Sequence, residues 1–114
     1  MNDLISIEQE LVRLARALGD LTDEYEGLCR HAADSRCDYD IAWAQALLGF
    51  THEEPKATVA VRESMATQAC QKQMREARVA EAIRDAAKER IRALEAQLTV
   101  HQSRLRWMDE GRRL

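Results

Sequence analysis

The stretch LISIEQELVRLARALGDLTDEYEGL, residues 4–28, carries large apolar side chains at alternating steps of three and four residues. These positions are Leu4, Ile7, Leu11, Leu14, Leu18, Leu21, Tyr25 and Leu28. Such spacing places the side chains on one face of an α-helix and is typical of coiled-coil-like heptad packing. We therefore expect a helix whose apolar seam is covered by another helix.

The same register continues toward a turn, with smaller side chains. It passes through Ala32, Ser35, Tyr39, Ala42 and Ala46. No proline occurs before Pro55, so we predict a first helix over about 4–48, with a break near residues 33–36 as the alternative. Gly49 suits the position just after a helix, and Pro55 prevents continuation, so a turn is predicted over 49–57.

The second half of the chain predicts another long helix, over about 58–110. Residues 59–108 contain neither glycine nor proline, Thr58 is a suitable N-cap, and Gly111 is expected to end the helix. Its regular apolar positions are Ala80, Ala87, Ile91, Leu94, Leu98, Leu105 and Met108. A less regular stripe precedes them at Val61, Met65, Ala69, Met74 and Ala77.

Two helices joined by one short turn form an antiparallel hairpin, so residues 1–114 are predicted to be one all-α domain. Folding about residue 53 brings Leu4 near Leu105 and brings acidic residues of the first helix near arginines of the second. A lone hairpin covers only one face of each helix, so we expect a homo-oligomer, preferably a dimer that forms a four-helix bundle. The expected oligomer seam is Leu11, Leu14, Leu18, Leu21, Tyr25 and Leu28.

Composition agrees with one small soluble domain and shows an uneven charge. The 114 residues include 17 Lys and Arg, 20 Asp and Glu, and no apolar run long enough to suggest a membrane partner. Residues 1–55 hold 12 acidic and 4 basic side chains, a net charge of −8; residues 56–114 hold 8 and 13, a net charge of +5. Either the two halves complement each other, or the basic half meets nucleic acid.

One candidate binding cluster lies near the turn. Beyond Tyr39 the apolar pattern widens through Ile41 and Leu48, which predicts burial against more than one neighbour. Trp43, Leu47 and Phe50 are the candidate anchors for a protein partner. The alternative is that these three side chains form the core at the end of the hairpin.

A second candidate cluster lies at the C-terminal end, where cations surround an aromatic side chain. Its members are Arg104, Arg106, Trp107, Arg112 and Arg113. An aromatic ring among cations can stack on a base and hold single-stranded nucleic acid, although binding to an acidic protein is expected to be weak. The alternative is a helix end whose cations suit the dipole, with Trp107 packed in an interface.

No catalytic or metal-binding pattern is present, so we do not expect an enzyme, a cofactor, a metal or a small-molecule ligand. The sequence lacks a glycine-rich phosphate loop, a G-x-S-x-G turn and paired metal ligands at zinc-finger spacing. Cys29, Cys37 and Cys70 make an odd count without a secretory signal, which favours a reducing compartment.

The second half also carries Lys56-Ala57-Thr58-Val59-Ala60-Val61-Arg62-Glu63 and ends in Ile91-Arg92-Ala93-Leu94-Glu95-Ala96-Gln97-Leu98, Gln102-Ser103 and Trp107. With Tyr25 and Tyr39 in the first helix, the chain resembles small helical-hairpin accessory proteins of tailed bacteriophages. Genes for such proteins often lie beside single-strand-annealing recombination genes. The resemblance implies a phage or prophage protein in the bacterial cytoplasm and transfers no catalytic residue.

Three functions follow as hypotheses. The first is a non-enzymatic accessory factor for DNA recombination or replication that binds a protein and weakly binds DNA. The second is an inhibitor of a host defence or nuclease complex, in which the acidic first helix imitates phosphate charge. The third is a structural or scaffold protein of the virion.

Overall fold

The computed structural model describes residues 2–113, with side chains for residues 4–111. Three helices follow one another: α1 over Asn2–Glu53, α2 over Val59–Ala69 and α3 over Gln71–Arg113. Within these residues there are helices and turns but no strand. The predicted all-α class and antiparallel helical hairpin are confirmed.

The turn between α1 and α2 begins where the sequence places its only proline. The Glu54 N–H donates to the Phe50 carbonyl at 2.8 Å, and the Ala57 N–H donates to the Glu54 carbonyl at 3.2 Å, which closes a turn around Pro55. Thr58 then caps α2, because its hydroxyl accepts the Val61 N–H at 3.2 Å. The N-cap prediction at Thr58 is therefore confirmed.

The two glycines that were predicted to end the long helices do not end them. Gly49 lies inside α1, which continues to Glu53, and Gly111 lies inside α3. Neither glycine has a positive φ. The helix ends instead at Glu53, and Glu54 is outside it because a residue that precedes proline is disfavoured in the helical region. The possible break near residues 33–36 does not occur, since α1 is continuous there.

The predicted second helix is divided at Cys70, although neither glycine nor proline occurs near this position. Cys70 has φ −109° and ψ 21°, and its N–H is shared between the Ala66 carbonyl at 3.1 Å and the Thr67 carbonyl at 3.3 Å. A shared donor of this kind is common where a helix tightens at its end. The Met74 N–H donates to the Cys70 carbonyl at 2.9 Å, so hydrogen bonding resumes at once in α3.

Burial follows an uninterrupted heptad spacing on both sides of the hairpin. Every α1 seam position from Leu4 to Ala46 is buried or half-buried. The matching positions on α2 and α3 are Ala66, Cys70, Gln73, Ala77, Ala80, Arg84, Ala87, Ile91, Leu94, Leu98, His101, Leu105 and Met108. This series replaces the predicted upstream stripe in part, because Val61 is 49% exposed and Ala69 is also exposed. The buried side chains of this segment are mostly small, so the sequence pattern does not reveal the heptad register there.

The described chain divides into two compact units. The terminal unit comprises Met1–Glu26 and Asp85–Leu114, and the turn unit comprises Gly27–Arg84. In the terminal unit large side chains fill the seam, with Leu14 fully buried and Ile7 5% exposed. In the turn unit the most buried seam residues are small: Ala32, Ala66, Cys70, Ala77 and Ala80.

Leu14→Ala should lower the free energy of unfolding by about 2–5 kcal/mol, because it removes a fully buried leucine and leaves a cavity in the seam. The matched control is Val12→Ala on the same helix, where the side chain is 54% exposed and the expected change is within about 0.5 kcal/mol. Urea unfolding followed by circular dichroism gives both values. Equal effects of the two substitutions would contradict the burial pattern.

Candidate functional site

Of the predicted anchors near the turn, Trp43 contacts α2. Trp43, Leu47 and Phe50 are all half-buried. The Trp43 Nε1–H donates to the Thr67 hydroxyl at 3.1 Å, and that hydroxyl donates to the Glu63 carbonyl at 3.0 Å. Trp43 therefore links α1 to α2 at this point.

The exposed apolar side chains of this region are different ones. Leu48 is 72% exposed and Ile41 is 52% exposed, although the widened pattern predicted that both would be buried. Leu48 stands between the half-buried Leu47 and Phe50 in the last turns of α1. We call Leu47, Leu48 and Phe50 the turn-end patch. Leu48 supplies the exposed apolar surface of this patch, whereas Leu47 and Phe50 point in other directions on the helix and are half-buried.

The midpoint of the hairpin lies slightly beyond the predicted one. Trp43 and Thr67 are equally far from Pro55, whereas the sequence suggested residue 53. In the terminal unit, Leu4 and Leu105 line one groove, as expected. The observed α1 runs to Glu53, past its predicted end at residue 48, so the turn is shorter and lies later in the chain than predicted.

The two C-terminal arginines whose side chains the structure describes, Arg104 and Arg106, line separate grooves. Arg104 lines a groove of about 220 Å³ with Glu10 and His101. Arg106 lines a separate groove of about 540 Å³ with Glu8 and Asp109. Residues two apart on a helix face different directions, so this separation is a direct consequence of helical geometry. The predicted proximity of these acidic and basic residues is seen, and each arginine shares its groove with carboxylates.

Trp107 projects from α3 and is 76% exposed. It lies three residues after Arg104, on the same side of the helix. Within the single chain it is therefore not a core residue. The side chains of Arg112 and Arg113, which belonged to the predicted nucleic-acid cluster, lie outside the described residues.

Glu10 forms an ion pair with Arg13 in the terminal unit. The Arg13 Nε–H donates to the Glu10 carboxylate at 2.9 Å, and a second guanidinium nitrogen pairs with the other carboxylate oxygen. The hydrogen bond from Arg13 lowers the pKa of Glu10 below its ordinary value, and the nearby charge of His101 acts in the same direction. His101 is half-buried at its seam position, and its Nδ1 is buried without a hydrogen-bond partner among the described residues.

An ion pair that was not predicted from the sequence, between Arg36 and Glu81, crosses the hairpin in the turn unit. The Arg36 guanidinium donates to the Glu81 carboxylate and lies 5.6 Å from the centre of the Tyr39 ring. The hydrogen bond to Glu81 raises the pKa of Arg36 above its ordinary value. Arg36 directly follows the seam residue Ser35, and Glu81 directly follows the seam residue Ala80. Flanking positions of opposite charge are the signal that could have indicated this pair.

Among the described residues, no three His, Cys, Asp or Glu side chains are grouped so as to hold a metal ion. The three cysteines are free thiols: Cys70 is buried, Cys29 half-buried and Cys37 exposed. No described helix has the length and apolar character needed to cross a membrane. The candidate sites are thus the turn-end patch and the Arg104–Trp107 side of α3.

Trp107→Ala should change the free energy of unfolding by no more than about 0.5 kcal/mol, because the ring is mostly exposed. If a base stacks on the ring, the same substitution should weaken binding to a single-stranded oligonucleotide by about 1–3 kcal/mol, and Trp107→Phe should restore part of it. Fluorescence anisotropy at two salt concentrations measures the binding, which we expect to be weak and salt-dependent. A large loss of stability would instead show that Trp107 is buried between chains.

No family model, no curated protein and no solved structure matches this chain. The functional interpretation therefore depends on the geometry and chemistry of the chain's own residues.

Proposed function

We propose that the chain is a non-enzymatic accessory protein that acts by binding another protein through the turn-end patch. The observation that carries the proposal is Leu48, a large aliphatic side chain 72% exposed at the end of an ordered helix. Leucine held in this way offers apolar area to a partner without prior folding of the segment. The hairpin positions it, because Trp43 fixes α1 against α2 through Thr67.

Two further features favour a protein over DNA as the main partner. Arg104 and Arg106 face separate grooves that also contain carboxylates, which weakens any attraction for phosphate. The turn-end patch, by contrast, combines one exposed aliphatic side chain with two half-buried ones. Burial of such an exposed aliphatic side chain against an apolar partner surface would favour association.

The biological setting is proposed from the resemblance stated above. A hairpin of this kind would serve a phage or prophage in the bacterial cytoplasm, as a partner of proteins for DNA recombination or replication. The protein is also proposed to be a homo-oligomer.

The test is affinity purification from phage-infected or lysogenic bacteria with three versions of the chain: wild type, Leu48→Arg and Val12→Arg. Val12 is 54% exposed on the same helix but lies in the terminal unit, so it is the matched control. We expect a protein of recombination or replication to be retained by wild type and Val12→Arg and lost with Leu48→Arg. Mass spectrometry identifies it.

Two outcomes would contradict the proposal. Equal recovery of the same proteins by all three versions would show that the turn-end patch binds nothing. Capture of a nuclease or host defence complex that Leu48→Arg loses would keep the patch and replace the accessory role with the inhibitor role. Circular dichroism of Leu48→Arg should match wild type, since the substituted side chain is exposed.

A further inference from the structure

The turn unit has two unlike sides. On one side polar contacts cross the hairpin, from Arg36 to Glu81 and from Trp43 to Thr67. On the other side His31 and Ser35 of α1 line a groove of about 360 Å³ together with Val79 and Ile83 of α3. Val79 is 53% exposed and Ile83 is 50% exposed. We call this second side the open face.

The open face carries apolar surface in a unit whose core is made of small side chains. The most buried seam residues of the turn unit are alanines and one cysteine, so its two helices remove little apolar area from water on their own. The exposed aliphatic side chains on the open face are apolar surface that the contact between the two helices does not cover. Ile41 adds to it: it is 52% exposed, one heptad after Asp34 on the same strip of α1.

Charge on the open face is unequal between the helices, with Glu76 as an acidic side chain on the otherwise basic α3 edge. Its α1 edge carries exposed Asp34 and Asp38, and its α3 edge carries exposed Lys72 and Arg75, with Arg75 and Glu76 lining the groove itself. A two-fold axis parallel to the helices would place α1 of one copy over α3 of another. The acidic edge of each copy then meets the basic edge of the other, so the surface is complementary to itself.

The available area fits such a contact. Residues 27–53 of α1 extend about 40 Å at 1.5 Å per residue, and two helices about 10 Å wide give a face of roughly 800 Å². Stable interfaces bury about 800 Å² on each partner. We propose that the open face of the turn unit binds a second copy of this chain, giving a four-helix layer pair around Val79 and Ile83. This inference deepens the proposed homo-oligomer and rests on Val79 and Ile83, which the turn-end patch does not include, although Leu48 lies one heptad after Ile41 on the same strip of α1.

Charge reversal tests the arrangement. One variant carries Asp34→Lys and Asp38→Lys; the other carries Lys72→Glu and Arg75→Glu. Each alone places like charges against each other in a self-pair, so its dimerisation should weaken by about tenfold or more. Mixed in equal amounts, the two should form a one-to-one dimer, because opposite charges then meet at both edges. The matched control, Asp20→Lys with Asp23→Lys, reverses two exposed acids of α1 in the terminal unit and should still self-pair.

Sedimentation equilibrium at low salt gives the masses, and wild type should show twice the 13.0 kDa mass of the chain. Val79→Lys with Ile83→Lys should give a helical monomer, whereas Val12→Lys should remain dimeric. A wild type that stays monomeric at submillimolar concentration overturns the proposal. So does a Val79→Lys, Ile83→Lys variant that still dimerises, or a mixture of the two charge variants that stays monomeric.

Discussion

The size of the side chains along one heptad seam governs the rest of this structure. Steps of three and four residues bring a side chain to the facing helix at every turn, from Leu4 to Ala46 on α1 and from Ala66 to Met108 on α2 and α3. Large residues such as Leu14 give the terminal unit a conventional apolar core. Alanines such as Ala66 and Ala77 let the helices of the turn unit approach closely but bury less area.

Both proposed contact surfaces lie in the turn unit, where the most buried seam residues are small. A narrow seam in the turn unit leaves Ile41, Leu48, Val79 and Ile83 exposed on ordered helices, and these side chains carry both proposed contacts. The terminal unit has larger buried side chains and also exposes apolar ones such as Val12 and Trp107, beside charged features: Glu10 with Arg13, and the two arginines that face separate grooves. Ion pairs at such exposed positions contribute little stability.

Much of the fold could be predicted from sequence, because large apolar residues report a heptad register directly. The seam through Leu14 and Leu21 and the helical cap at Thr58 needed no structure. The register through Ala66 and Cys70 could not be read, since a buried alanine looks like an exposed one. The hydrogen bond from Trp43 to Thr67 was equally hidden, because it depends on the alignment of the two helices. The exposure of Leu48 depends on the same alignment, so the position of the candidate site required the structure.

Cross-linking across the terminal unit tests the antiparallel register most directly. With Cys29, Cys37 and Cys70 replaced by alanine, Leu4→Cys with Leu105→Cys places two thiols on one groove. A short thiol-to-thiol cross-linker should join them within one chain, seen as a faster-migrating band at monomer mass. Leu4→Cys with Leu98→Cys moves one thiol by one heptad, about 10 Å along α3, and should not react within the chain. Preferential cross-linking of the Leu98 pair would contradict the register, and with it the seam on which this account depends.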